Sequence, residues 1–326
     1  MTSSRVVCSL CVVALCHASS AFAQGWRPDK PIELVVGTTP GGPQDRLART
    51  VQHILQDRKL IEVPIVVNNR AGGGGAVALA YINRHPGDAH YLYINATTLL
   101  TNHITGKSAL GPDDVTPIAT LNAEYVCVVV RADSALNGGN ELIARLRAEP
   151  ASLAVAVGTA LGNGTHLSFA LAMRAGGVDT RKLKTVVFGS ASDSMTALLG
   201  GHIDAAASAP SSVLPHVKTG KLRVLAITAP QRLGGELAAV PTWKELGVDS
   251  AYGLWRGLAG PGKLTEAQVQ FWDRALAQFA ATPEWKKDLA ANLEDDIYAG
   301  SAGTAKKWKT EYPLVKSVLV DLGLAK

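Results

Sequence analysis

Cysteine is almost missing from this chain: there are four in 326 residues, and Cys8, Cys11 and Cys16 crowd into its first few turns of sequence. Only Cys127 stands in the body of the chain, which excludes an internal disulfide framework there. Its setting, "EYVCVVVR", is apolar and holds no cluster of cations, so it reads as a buried, inert thiol rather than a nucleophile. The histidines are scattered, with no H-E-x-x-H and no close pair, which excludes the usual zinc spacings. No G-x-S-x-G elbow is present; "GTALG" (Gly158–Gly162) holds alanine where the serine would sit. No charge sign dominates either. Lys plus Arg is 32 against 27 acidic residues, a formal +5 without any arginine-rich stripe. That excludes a nucleic-acid partner and favours small anions slightly.

What is present begins at the N-terminus. Arg5 is followed by "VVCSLCVVALCHASSAFAQ", a short apolar core ending in Ala21-Phe22-Ala23. This is the pattern of a secretory signal peptide, too short and wrongly flanked to be a membrane span. Cleavage is expected after Ala23, giving a soluble exported, periplasmic protein of residues 24–326. Cys16 raises a lipoprotein alternative, but Leu15 before it is bulkier than such a site prefers. The C-x-x-C of Cys8 and Cys11 is then an accident of the leader.

The remaining chain repeats one theme: a β-branched run ends in Gly, Ser or Thr, and an amphipathic stretch follows. Ile32–Val36 leads to Gly37–Gly42, Ile65–Val67 to "NNRAGGGG", Leu153–Val157 to "GTALGNGTH" and Thr185–Phe188 to "GSASD". Strands alternating with helices imply parallel βαβ units and an α/β fold. Helices are expected after Pro43, with Leu47, Val51, Ile54 and Leu55 on one face, and after Thr265, with Ala267, Phe271, Ala275 and Leu276 together. A third is expected over 305–322, kinked or broken at Pro313. At 326 residues two domains are the natural expectation. The apolar runs "YVCVVVRA" and "LRVLAIT" mark two crossings: residues 24–124 with 229–326 would form one lobe and 125–228 the other, with a cleft between.

Ligands of open α/β sheets sit beyond the carboxyl ends of the strands, against helix N-termini that attract anions. The loops at 38–45, 158–166 and 189–193 fit that place, although Gly, Ser and Thr also serve ordinary turns and caps. Nucleotide fingerprints fail: Gly106-Lys107-Ser108 lacks the earlier glycine of a Walker A, and "RAGGGGAVA" has Ala78 where the third glycine of G-x-G-x-x-G belongs. Ser190, His166 and Asp204 could be drawn into a hydrolase triad, an arrangement any chain this long offers. Asp45 and Asp204 read better as loop-stabilising carboxylates than as acids or bases. Asn95-x-Thr97 and Asn163-x-Thr165 match a glycosylation pattern of the kind that arises by chance. In "LWRGL", Arg256 could pair a ligand carboxylate in a bidentate way or lie on the surface along Trp255.

In order, "RPDKPIELVV", "PGGPQD", "NNRAGGGG", "GTALGNGTHL", "ALLGGHIDAA", "LPHVKTGKLRVLAIT" and "VPTWKELGVD" resemble the extracytoplasmic solute receptors of tripartite tricarboxylate transporters, the Bug family. The likeness spans nearly the whole mature chain, and "LWRGL" looks more like the tricarboxylate branch than the amino-acid-binding one. The resemblance implies a two-lobed Venus flytrap of the periplasmic-binding-protein type II kind, with no cofactor and no catalysis. It also implies a small carboxylate ligand held largely by backbone N–H groups and water. The implied contacts are Thr38, Thr39, Gly41, Gly42 and Asp45 in one lobe. In the other they are Gly158, Thr159, Asn163, Thr165 and His166, with Ser190 and Ser208 nearby. Two departures stand out: Pro43-Gln44 before Asp45 where glycine-threonine is usual, and Arg70-Ala71-Gly72 where Arg-Pro-Gly is common. The implied partners are membrane transporter subunits or a sensor kinase, and a monomer is the default.

Overall fold

The computed structural model describes residues 25–326; the expected leader, its Ala23 cleavage point and Cys16 lie outside the described residues. The chain builds two sheets. The first holds β1 (Ile32–Val36), β2 (Ile65–Asn69), β3 (Tyr91–Ala96), β4 (Val115–Glu124), β10 (Leu254–Pro261) and β11 (Asp295–Ala299), in the order β11-β4-β10-β3-β1-β2. The second holds β5 (Cys127–Arg131), β6 (Ala154–Ala156), β7 (Lys184–Val186), β8 (Ala205–Ser208) and β9 (Leu222–Ile227), in the order β7-β6-β8-β5-β9. In each sheet one flank is parallel, β2-β1-β3 and β7-β6-β8, and the other is antiparallel. This is the mixed α/β architecture of a two-lobed, type II binding protein.

Ten helices cover the sheets among the described residues: α1 (Pro43–Asp57), α2 (Ala76–Ile82), α3 (Thr98–Ile104), α4 (Gly139–Ala148), α5 (Gly164–Ala175), α6 (Ala191–Leu199), α7 (Pro210–Lys218), α8 (Glu266–Ala280), α9 (Pro283–Asn292) and α10 (Ser301–Asp321). Helix α1 starts on Pro43 and buries Leu47, Val51, Ile54 and Leu55, as its periodicity demands. Helix α8 has the Thr265 cap, closed into a box by Gln268, but its buried stripe is turned from the expected one. Ala267 is exposed, while Gln268, Trp272, Ala275, Leu276 and Phe279 face inward. The Trp272 indole fixes that rotation by donating to the Ala89 carbonyl at 3.1 Å. Pro313 neither ends nor delimits α10, which starts earlier than expected and runs through it. Burial of Trp308, Val315, Val318 and Leu319 outweighs the roughly 3 kcal/mol cost of an interior proline.

Chain passages between the sheets lie at Tyr125–Val126 and over 228–253. The two are bound together: Val126 N–H donates to the Thr228 hydroxyl at 2.9 Å and Thr228 N–H to the Val126 carbonyl at 3.0 Å. The apolar runs expected at the crossings become β5 and β9, neighbours in the second sheet. Helix α5 is apolar almost all round, because it serves both lobes. Phe169, Ala172 and Met173 pack into the second sheet's core, whereas Leu167, Ala170 and Leu171 pack against the first sheet, Trp255 and α10.

Cys127 is fully buried, and burial, with Glu124 nearby, pushes its thiol up to about 12. Native protein is therefore expected to resist a thiol-alkylating reagent at pH 8 and to react stoichiometrically once unfolded in guanidinium. Modification of the native state within minutes would contradict this burial.

Candidate functional site

The parallel strands of both sheets end in helix N-termini, as βαβ connection requires. β1 leads through Gly37–Gly42 into α1, and β6 leads through 157–163 into α5. β7 and β8 lead into α6 and α7. Each of these helices is long enough to carry a partial positive charge at its start.

In the first loop, Thr39 and Gly41 are exposed, Thr38 and Gly42 half-buried, and Asp45 is buried at 3% exposure. The Asp45 carboxylate accepts from Gly41 N–H at 2.9 Å, from the Asn69 amide at 2.9 Å and from the Arg49 guanidinium at 2.9 and 3.1 Å. Asn69 also donates to the Thr38 carbonyl at 3.0 Å. Asp45 thus folds the loop back on its own helix, with Asn69 clamping it from β2. The Arg49 guanidinium above all, then the Gly41 and Asn69 bonds, hold the Asp45 carboxyl down at about 2. With these acceptors committed, Asp45 shapes the loop. Asn69 was missed in the sequence: it sits in the quoted "NNRAGGGG", but nothing in that string ties it to a residue two dozen positions earlier.

The second loop is built the same way around its own helix. Asn163 caps α5 by accepting His166 N–H at 2.9 Å, and His166 Nδ1 accepts Gly162 N–H at 3.0 Å. Gly158 adopts φ +90°, and a Cβ there would come within 2.5 Å of the Asn163 side chain, so only glycine fits beneath the cap. Gly41 likewise sits at φ +87°, but its would-be Cβ meets nothing within 4 Å, so the first loop's crest is open to an approaching ligand. His166 is 2% exposed, and burial pushes its ring down to about 4, so the imidazole is neutral. Since Nδ1 accepts, Nε2 carries the proton, and this buried donor has no acceptor among the described residues. Thr159 is exposed at the loop's tip and Thr165 half-buried in the first turn of α5.

Ser190 caps α6, its hydroxyl accepting Asp193 N–H at 3.1 Å. The strand before it is tied to the second loop by Phe188 N–H to the Gly158 carbonyl at 3.3 Å. Ser208 ends β8, buried, opposite Cys127. The trio Ser190, His166 and Asp204 is not assembled: each accepts a different backbone N–H, Asp204 that of Ala154 at 2.7 Å at the start of β6. Among the described residues no group of three or more His, Cys, Asp or Glu is placed to hold a metal ion, and no helix is long and apolar enough to cross a membrane.

Arg256 is not on the surface. It is 7% exposed and points to the face of β10 opposite Trp255, as strand alternation dictates. Its guanidinium pairs with Glu124 and, at 3.3 Å, with Glu294. Glu294 in turn accepts from Arg46 and from Asn122, both at 2.6 Å, and Arg46 also meets Asp288. Arg46 is the residue after Asp45, and Glu124 is the last residue before the Tyr125–Val126 passage. This charge network therefore links the start of α1 to that passage. Trp255 stacks on Trp308, ring centroids 6.1 Å apart, and donates to Glu311 at 2.7 Å.

The profile of the family described as "Tripartite tricarboxylate transporter family receptor" matches residues 47–322. The UPF0065 protein in the gbd 5' region of Cupriavidus necator is 30% identical over 303 residues, 92% of this chain and 89% of that one. A TctC solute binding protein from Polaromonas superposes with a TM-score of 0.76 at 29% identity, covering 90% of this chain and 99% of its own. A Rhodopseudomonas palustris protein solved with adipate has the same fold, with a TM-score of 0.76 at 23% identity and coverage of 91% and 99%.

Proposed function

The chain belongs to the tripartite tricarboxylate transporter receptor family, whose members are solute-binding receptors and not enzymes, and from that premise we propose that it is a periplasmic receptor that closes on a small organic carboxylate and delivers it to the membrane subunits of a tripartite transporter. The observation that carries the carboxylate reading is the neutral His166, buried at the start of α5 with an Nε2–H that meets no protein acceptor. A donor left unsatisfied in a buried place costs free energy until an acceptor arrives. On this reading one ligand carboxylate rests on the backbone N–H groups around Gly42 at the open crest of the first loop. Another acceptor on the ligand takes His166 and the start of α5, with Thr159, Thr165 and Ser190 at the rim. Binding is by dipoles and donors instead of a free cation, which suits a ligand that must be released unchanged. The adipate found in the R. palustris relative is one acid of the proposed class.

A ligand touching both lobes stabilises the closed form by the contacts it makes only there. The test is a thermal-shift screen of the purified protein against mono-, di- and tricarboxylates, acidic amino acids and aromatic acids. At a hundred times its dissociation constant a ligand adds about 2.7 kcal/mol to stability, a clear rise in melting temperature. A hit recovered chemically intact supports the receptor reading; silence across the panel, or turnover of any member, removes it.

A further inference from the structure

Asn95 is the most isolated polar side chain near the loops. It is fully buried near the end of β3, and neither its amide nitrogen nor its carbonyl oxygen meets a hydrogen-bond partner among the described residues. An amide can make four hydrogen bonds, and burying one with none costs several kcal/mol, about 2–7 depending on the reference. A core made for stability alone would place an aliphatic side chain there, as it does at Ile94 and Val35.

Its surroundings say what the amide is for. In the ladder Val36 pairs with Ile94, so the next step along both strands sets Gly37, the root of the first loop, beside Asn95. Two residues on is Thr97, which occupies the cap position of α3 yet makes no cap with its side chain; its hydroxyl is buried too. Facing Thr97 is Tyr252, on the 228–253 passage between lobes, whose buried hydroxyl lies within reach of the Thr97 hydroxyl and of Glu311 without a well-aligned bond to either. The Tyr252 carbonyl accepts from Ser168 Oγ at 2.9 Å, which fixes this passage to α5 two residues beyond His166. Three neutral polar groups, with Asn95 wholly unpartnered among them, therefore lie between the root of the first loop and the helix that carries the second.

We propose that Asn95, with Thr97 and Tyr252, forms a neutral polar subsite at the floor of the cleft that takes an uncharged hydrogen-bonding substituent, such as a hydroxyl, on the body of the bound acid. This rests on the carboxylate reading above and adds to it what distinguishes one acid from another. The subsite does not suit a further carboxylate. The ion pair beside it, Glu311 with Lys307, is matched within itself and offers no spare positive charge. Burial, reinforced by Glu311, holds the Tyr252 phenol well above its usual range, so it stays a neutral donor and acceptor. A hydroxyl can donate to the Asn95 carbonyl and accept from its amide, which a methylene in the same place cannot.

The test is calorimetric titration with matched pairs: succinate with malate, glutarate with 2-hydroxyglutarate, and adipate with 2-hydroxyadipate. In the wild type the hydroxylated member of the best-fitting pair is expected to bind about tenfold tighter or more, the worth of one well-made buried hydrogen bond. Asn95→Leu is expected to bring the pair to parity by weakening only the hydroxylated acid, while melting at or above the wild-type temperature. Asn95→Ser, smaller and polar, should keep part of the discrimination and guards against a leucine that does not fit. Parity in every wild-type pair, or discrimination that survives Asn95→Leu, overturns the subsite and leaves the receptor reading standing. Failure of all six acids to bind the wild type overturns the subsite, and the wider carboxylate screen then decides the receptor reading.

Discussion

Arg256→Ala is expected to destabilise the protein by about 3–5 kcal/mol, the usual result of removing one partner from a buried ion pair. The substitution strands Glu124, 6% exposed, without a cation, while Glu294 keeps Arg46 and Asn122. Most of the loss therefore comes from Glu124, and Arg256→Met with Glu124→Met should recover most of it, since an apolar pair of similar volume is often neutral against a buried salt bridge. The cycle of single and double variants in a urea titration measures the coupling directly. If Arg256 instead served as a ligand clamp, the alanine variant would lose carboxylate affinity while its stability stayed within about 0.5 kcal/mol of wild type, the range of ordinary surface changes. That pattern would place the guanidinium in the cleft, against the pairing with Glu124 and Glu294.

The same residue shows where sequence reading stops. Local signals carried far: the five residues of β1, the start of α1 on Pro43, its buried stripe, and the Thr265 cap all follow from rules that act over a few positions. So did the place of the loops, because a strand ending in glycine before a helix is itself a local pattern. The sequence leaves Arg256 two alternatives, a carboxylate clamp or a surface side chain, and its burial removes the second. Its partners lie 132 and 38 residues away in sequence, and no local pattern pairs them. Asn69 under the first loop and Asn95 beneath it escaped for a related reason. Each sits in a run that reads as strand or turn, and only the neighbouring strands reveal that one side chain donates twice and the other makes no hydrogen bond. The rotated stripe of α8 has the same origin, a single indole reaching the Ala89 carbonyl across the core.

Asp45 gives the clearest dependence on pH. Its carboxyl is held near 2 in the folded chain against an ordinary 3.8, chiefly by Arg49. A lowered folded value means that the carboxylate adds stability above the unfolded value and loses it as pH falls through the folded one. At about 1.4 kcal/mol per unit, roughly 2 kcal/mol disappears between about pH 5 and pH 2. His166 adds to acid sensitivity in a separate window, from its ordinary 6.5 down to about 4, because the unfolded ring takes a proton that the buried ring refuses. Asp45→Asn keeps the shape but turns an amide N–H₂ toward Arg49 or Asn69. It should cost on the order of 2–3 kcal/mol at neutral pH, as expected for charged hydrogen bonds lost in a buried place. Stability of the variant should then be flat between pH 4 and pH 2, once other carboxylates common to both proteins are subtracted. Ligand affinity should fall as well, because Gly41 loses the acceptor that sets the loop's crest. Equal acid slopes in wild type and Asp45→Asn would show that this carboxylate is not held as its four contacts require.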